Sequence, residues 1–310
     1  MVLPFSLQQL RIVKAVAAEK SFKIAAQKMF LSQPSLSKQI KILENRLGVL
    51  LFNRTKKTVY LTEAGDLFLQ YADRILFLCE ETCRAVDDLK NGERGHLLIG
   101  ASQTLGTYLL PKILALFTKS YPQIDITLEV NSTSIISKNI SNQRIDIALV
   151  GGEIPPELKS NLKIENFVED ELLLIIAKSH PFLSQTNKII VCDDLYHLNF
   201  ITLNENSTVQ KFTDNILVQN QIAINQFNII MKLNSIEAIK TAVSLGLGVA
   251  FISASAIEQE IELGILDIIS IKNIKIKRKL SIITSINSYK SEAFGYFYTE
   301  LHNLKGLDTV

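Results

Sequence analysis

From Glu63 to Asn91 the chain contains no proline, and Gly65 is its only glycine before Gly92. Placed about 100° apart on a helix, Ala64, Leu67, Tyr71, Ile75, Leu78, Thr82, Ala85 and Leu89 fall within an arc of about 80°. This stretch therefore predicts one long amphipathic helix with a coiled-coil-like seam. Such a helix divides everything else: residues 1–62 form a head, and a body begins at the glycine-bounded joint Gly92-Glu93-Arg94-Gly95. A helix of this length between two folded parts is best explained as a dimer arm. Cys79 and Cys83 lie one turn apart on it without a nearby His or third Cys, which favours buried or interfacial thiols over a metal pair.

The charge follows the same division. Residues 1–65 carry 11 Lys and Arg against 3 Asp and Glu, a net of +8, while the rest of the chain sums to −6. A small basic head on an acidic body is the distribution expected when one module meets a polyanion. The full 310 residues suit two or three modules, and a 47% hydrophobic, 21% charged composition argues against wholesale disorder. No apolar run approaches the roughly 20 residues that span a bilayer. The start of the chain lacks a secretory pattern, and three cysteines give no disulfide framework, which points to a reducing compartment.

Within the head, Ser6, Ser21 and Ser32 are spaced as N-caps of three short helices, with Pro34 tolerated in the first turn of the third. The third helix runs to about Gly48. Leu36, Ile40, Leu43 and Leu47 form its apolar stripe; Pro34, Lys38, Lys41 and Asn45 fall opposite, flanked by Ser35 and Ser37. A small, polar, basic face lets a helix sit deep in a major groove, where Gln and Ser reach base edges and Lys reaches guanine or phosphate. Leu50-Leu51-Phe52-Asn53-Arg54 and Val59-Tyr60-Leu61-Thr62 then predict a hairpin whose basic turn, with Arg54, Lys56 and Lys57, lies along phosphates. Three helices and a basic hairpin make a winged helix-turn-helix.

Residues 6–66 resemble the DNA-binding head of LysR-type transcriptional regulators. The matching residues are Leu7-Gln8-Gln9-Leu10, Ser21-Phe22 with Ala25-Ala26, and Ser32-Gln33-Pro34-Ser35-Leu36-Ser37-Lys38-Gln39-Ile40. The match continues through Leu43-Glu44, Leu47-Gly48, Leu51-Phe52 and Arg54 to Leu61-Thr62-Glu63-Ala64-Gly65. The resemblance implies base-edge contacts from Gln33, Pro34, Ser37 and Lys38, with Arg54 in or beside the minor groove. It also implies a homodimer or homotetramer on a double-stranded operator, with RNA polymerase as a further partner. Lys38 stands where the family more often has Arg, so its charge is kept but the bidentate fork is lost.

Beyond residue 95, strand and helix patterns alternate, predicting a two-lobed α/β body with parallel sheets. Strands are expected at Leu97–Ala101, Ile124–Val130, Ile145–Val150, Glu171–Ala177, Ile189–Val191, Phe200–Leu203 and Lys279–Ser285. Helices are expected at Tyr108–Ser120, Ser134–Ser141, Ile236–Leu245 and Ser291–Leu304. Lobe I takes residues 92–168 and 271–310, and lobe II takes 169–270. Ligands of open α/β sheets bind beyond the carboxyl ends of strands, against helix N-termini. That rule selects Ser102, Gln103, Thr104, Thr133, Thr202 and Asn204, each of which reads equally well as a helix cap. The resemblance to the family's effector domain, itself similar to periplasmic binding proteins, favours Ser102 and Thr133.

His96, His180, His197 and His302 are scattered, Gly246-Leu247-Gly248 reads as a helix-to-strand turn, and Cys192-Asp193-Asp194 offers no nucleophile–base pairing. The expectation is a regulator with no catalytic residues, no metal and no cofactor, answering to a small effector such as a phosphorylated or nucleotide metabolite. Within the family the chain is most similar to the branch that regulates the rubisco operon in cyanobacteria and algal plastids. The 40 Ile, 20 Asn and 25 Lys against 8 Arg suit the A/T-rich codons of a plastid genome. The expected site is the plastid stroma, or the bacterial cytoplasm if the gene is bacterial. The competing readings are a family member serving nitrogen assimilation, an enzyme or solute-binding protein built on the two lobes, and an architectural DNA-binding protein without effector control.

Overall fold

A computed structural model describes residues 3–54, 59–91, 95–185, 188–205 and 207–305. Lys56, Lys57 and the joint residues 92–94 lie outside the described residues. The chain separates into two compact units, residues 1–90 and 91–310.

Three capped helices build the first unit. Ser6 and Gln9 form a reciprocal capping box at α1 (Leu7–Glu19), Ser21 caps α2 (Phe22–Lys28), and Ser32 caps α3 (Gln33–Leu47). Pro34 fits the first turn of α3 because its missing N–H would have no helical partner there. Gly48 ends the helix at φ 72°, a conformation costly for other residues. Val13, Val16, Phe22, Ala25, Leu36, Ile40 and Leu43 close one core. The hairpin pairs β1 (Phe52–Arg54) with β2 (Val59–Leu61), Phe52 opposite Leu61. Buried Glu44 fixes it to α3, its Oε1 accepting the N–H groups of Leu51 and Phe52 at 2.9 and 3.2 Å.

The long helix α4 (Glu63–Asn91) follows directly. Thr62 starts it: the hydroxyl accepts the Gly65 N–H at 3.0 Å and donates to the Leu50 carbonyl at 2.7 Å. A Cβ on Gly65 would stand 2.0 Å from the Leu51 carbonyl oxygen. The Leu61-to-Gly65 run is thus the joint that locks wing to helix. On α4, Ala72 and Leu76 pack with Leu10, whereas Leu67, Tyr71 and Leu78 remain exposed. The predicted seam is therefore divided, since Ile75 packs against that Leu10 cluster; the side chains of Ala85 and Leu89 lie outside those described.

The second unit comprises β3 (His96–Ser102), a π-helical turn Leu105–Leu109, α5 (Leu110–Ser120), β4 (Asp125–Asn131), α6 (Thr133–Ser141) and β5 (Ile147–Val150). After these come β6 (Leu162–Ala177), α7 (Phe182–Gln185), β7 (Ile189–Ile190), β8 (Asn199–Leu203), α8 (Thr208–Gln219) and β9 (Asn228–Leu233). The chain closes with α9 (Ile236–Ser244), β10 (Ala250–Ser253), α10 (Glu258–Glu262), β11 (Leu266–Ile271), β12 (Ile276–Ser285) and α11 (Glu292–Lys305).

The main sheet is mixed, which corrects the expectation of parallel sheets. Its order is β4-β3-β5-β12-β6-β11-β7, with β10 also on β6. Only β4-β3-β5 and the β11-β7 pair are parallel; β12 runs antiparallel to both β5 and β6. The reason is topological: β6 carries the chain out of one lobe and β12 brings it back. One core gathers Leu97, Ile99, Phe117, Phe167, Leu280 and Phe297, and a second gathers Leu174, Phe200, Val243, Ile252, Ile271 and Ile276. By packing, the return crossing falls between Ile276 and Leu280, later than the expected residue 271. The strand expected at Glu171 begins at Leu162, and α8, β9 and β11 carry no pattern the sequence reading picked out.

Gly65→Ala forces Cβ against the Leu51 carbonyl, so the head should lose on the order of 1–3 kcal/mol. Thermal unfolding of the full-length variant should show an earlier transition for the head; an unchanged melting curve would mean the joint has slack.

Candidate DNA interface and effector cleft

The third helix assembles the predicted reading face. Gln33, Pro34, Ser35, Lys38 and Lys41 are exposed on α3, and Ser37 is half-buried, while Leu36, Ile40 and Leu43 are sealed beneath. The one carboxylate on α3, Glu44, is turned inward to the wing backbone, so the outer face carries Lys38 and Lys41 without an acidic neighbour on the same helix. Gln9 donates to the Gln39 side chain at 3.3 Å, tying α1 to the flank of α3. Arg54 ends β1, next to the predicted turn.

In the body, a cavity of about 360 Å³ lies between elements of the two lobes. It is lined on one side by Ser102, Gln103, Thr104, Asn131 and Thr133, and on the other by Asn204, Ser207, Thr208 and Asn234. Ser102 is the last residue of β3, and its Oγ accepts the Gly151 N–H at 3.2 Å. Ser132 and Ser207 cap α6 and α8, so Thr133 and Thr208 open those helices at the cavity. Gly152 lets the sides approach: a Cβ there would meet Thr133 Oγ1 at 2.6 Å and Thr208 Cβ at 2.7 Å. Five of the six predicted effector residues come together. The exception is Thr202, which is buried in β8 and does not line the cavity, since successive strand residues face opposite sides.

Among the described residues, Arg278 is the only charged one of the lining, and the sequence pattern did not single it out. It enters the cavity from β12, is 4% exposed, and donates from Nε to Asp170 Oδ2 at 2.7 Å. Its Nη2 is buried without a partner, as is Thr133 Oγ1. The readable signal is the alternation Ile276-Lys277-Arg278-Lys279-Leu280, where Arg278 occupies an inward position between two exposed lysines. Ser207, Thr208 and Asn234 were missed because α8 and β9 were. The N-termini of α6, α8 and α9 all border the cavity, and with the guanidinium they make it suited to a small anion.

Beside the cavity the lobes also touch directly. The Tyr108 hydroxyl donates to Glu237 Oε1 at 2.6 Å, and Lys240 Nζ lies 5.0 Å from the Tyr108 ring centre. Buried Lys240 is held by Glu260 at 2.8 Å and Glu237 at 3.0 Å. Burial, then the adjacent Glu237, drives the Tyr108 phenol well above its ordinary pKa. Burial pushes Glu237 upward, but hydrogen bonds from Tyr108 and Lys240 outweigh it and hold the carboxyl below the usual range. A larger cavity of about 440 Å³ lies under residues 269–276, lined by Leu172, Leu173, Leu174 and Phe251. It brings no buried, unpartnered polar group to its wall, so its chemistry is the less informative. Among the described residues no three His, Cys, Asp or Glu side chains group to hold a metal, and no helix is long and apolar enough to cross a membrane.

Residues 7–66 match the bacterial regulatory helix-turn-helix family of LysR type, and residues 90–304 match the LysR substrate binding domain. A protein of Thalassiosira pseudonana described as a probable RuBisCO transcriptional regulator is 64% identical over 99% of this chain and all of its own length. One from Porphyra purpurea with the same description is 52% identical over 97% of this chain and 95% of its own. Among solved structures, full-length CbnR complexed with its target DNA has the same fold, with a TM-score of 0.73 at 22% identity, covering 96% of this chain and 99% of that one.

If Lys38 reads a base, Lys38→Ala should lower affinity for a selected duplex by roughly 1–3 kcal/mol more than for scrambled DNA. Titrations of both duplexes over several salt concentrations measure this, and equal losses on the two would remove Lys38 from the base-reading set.

Proposed function

Because the chain belongs to the LysR family of DNA-binding transcriptional regulators, we propose that it controls the rubisco operon in answer to a small anionic metabolite. The target rests on relatives, matched over 95% or more of their own length, that are described as probable RuBisCO transcriptional regulators. The effector rests on one observation: Arg278, almost fully buried and with its Nη2 unpartnered, is among the residues that line a cavity bordered by three helix N-termini. A phosphorylated or nucleotide metabolite supplies the charge and acceptors this wall lacks. Ser102, Gln103, Thr104, Thr133, Asn204 and Thr208 would orient it, and no cofactor or metal enters the scheme.

In this reading, residues 92–168 with the return from β12 make one lobe, and the intervening segment makes the other. An anion bridging Thr133 and Thr208 draws on both lobes at once, so its affinity depends on how they are set. Gln33, Pro34, Ser35, Ser37, Lys38, Lys41 and Arg54, with Lys56 and Lys57 of the turn, contact the operator. The exposed side of α4 at Leu67, Tyr71 and Leu78 joins two copies into a homodimer, from which a tetramer is built, and bound DNA presents the assembly to RNA polymerase. The plastid stroma is the compartment that the algal relatives suggest.

Four experiments test the scheme. Footprinting on the promoter of the rubisco large-subunit gene should show protection; an unprotected promoter refutes the target while leaving the family untouched. Thermal shift with phosphorylated sugars, phosphorylated carboxylic acids and nucleotides should find a stabilising ligand, by about 2.7 kcal/mol at a hundredfold excess over Kd. Thr133→Val should weaken that ligand by about 0.5–1.5 kcal/mol, or up to about 3 if the hydroxyl meets a charged atom, without altering ligand-free operator binding. Equal shifts in both proteins would place the ligand elsewhere. Leu78→Lys, finally, puts a charge into the arm and should yield monomers by sedimentation, with a steep loss of operator affinity as two heads cease to act together.

A further inference from the structure

Between α2 and α3 the chain turns through Met29, Phe30 and Leu31. Met29 and Leu31 pack against the head core, while Phe30 is 96% exposed. Its φ is 54°, in the left-handed region that bulky side chains avoid and Asn or Gly tolerates. The turn is held by backbone bonds from Phe30 N–H to Gln27 and from Leu31 N–H to Ala26, at 3.2 and 2.9 Å, and these need no aromatic ring. The fold alone therefore favours a small polar residue at this position. A large apolar side chain stands here in a disfavoured conformation, in water, with no compensating contact in its own core.

Its placement names what covers it. Phe30 lies two residues before Ser32, the cap of α3, beside exposed Gln33 and Pro34 at the end of the reading helix. The surrounding residues 1–65 have a net charge of +8, so the surface continuous with Phe30 attracts a polyanion rather than an apolar protein groove. An aromatic ring at the lip of a major groove has one sequence-specific apolar target, the 5-methyl group of thymine. We infer that Phe30 extends the base-reading face of α3, packing its ring on a thymine methyl where the helix enters the groove. The inference rests on the DNA-binding reading of the head and adds a residue outside the helix to it.

The test compares full-length wild type with Phe30→Asn, a variant suited to the left-handed turn. A duplex is recovered by the wild type from a random-sequence pool, then resynthesised with each thymine in turn replaced by deoxyuridine, which removes only the methyl. Phe30→Asn should melt at the same or a higher temperature yet bind the recovered duplex about tenfold more weakly. Deoxyuridine at one position per half-site should cost the wild type about fourfold, the worth of one buried methyl, and cost Phe30→Asn nothing. If the variant matches wild type on the recovered duplex and on every deoxyuridine version, Phe30 is not a DNA contact. Weaker binding by the variant with the same deoxyuridine profile overturns the thymine contact. A wild type that recovers no duplex at all overturns the DNA reading itself.

Discussion

Asp170 and Arg278 face one another across β6 and β12, Nε to Oδ2 at 2.7 Å, with both side chains almost sealed from water. Ser253 donates its hydroxyl to the other carboxylate oxygen at 2.6 Å, so the acid is satisfied twice. Burying such a pair is expensive, and an apolar pair of similar volume would serve stability as well or better. Removing one partner is another matter, since it leaves a lone charge inside and costs about 3–5 kcal/mol. The pair is therefore not explained by stability. What it does achieve is to hold from one side a guanidinium that belongs to the cavity's lining and whose Nη2 has no partner.

The same two strands set the mechanics of the body. Glu169, Asp170 and Glu171 stand opposite Lys279, Arg278 and Lys277, three consecutive pairs of opposite charge. The pleat turns the middle pair inward and leaves the outer lysines exposed. A one-residue slip would bring Lys277 or Lys279 inside and expel Arg278, so the register is strongly specified. Just beyond, the register shifts between Lys279 and Ser281, a local bend where the return strand enters the first core. Any change in the lobes must twist this pair rather than slide it, and Arg278 of the cavity lining sits on the strand that twists.

Legibility in the sequence followed the range of the determining contacts. The helices of the head and α4 could be read because their serine caps, prolines and apolar stripes act within a few residues. The Leu61-to-Gly65 run was visible as a motif, but its cause was not: Gly65 is required by the Leu51 carbonyl, brought close by the hairpin. The first half of β6 was hidden because its charges look like a solvated loop until residues 279–285 of β12 arrive opposite, Lys279 against Glu169 and Ser285 against Leu162, more than a hundred residues on. Arg278 was missed for the same reason. Thr202 falls outside the cavity lining because lying near the end of a strand says nothing of which face a side chain takes. Phe30 passed unnoticed as one apolar residue among several, since a positive φ and full exposure are properties of the folded turn.

Coupling between metabolite and DNA requires that the ligand prefer one state of the protein, and tight binding by itself shifts nothing. A ligand held only by Ser102 and Thr133 would ride with one lobe and leave the equilibrium where it was. The cavity is built otherwise: Gly152 brings Thr133 and Thr208 within reach of a single small anion, and Arg278 contributes from a strand shared by both lobes. In the proposed scheme, contacts from both lobes to one anion would be made fully in one relative setting and lost in part in any other. The preference therefore resides in the span of the site rather than in its strength. By linkage, the operator must then change the affinity for the metabolite by the same factor that the metabolite changes the affinity for the operator.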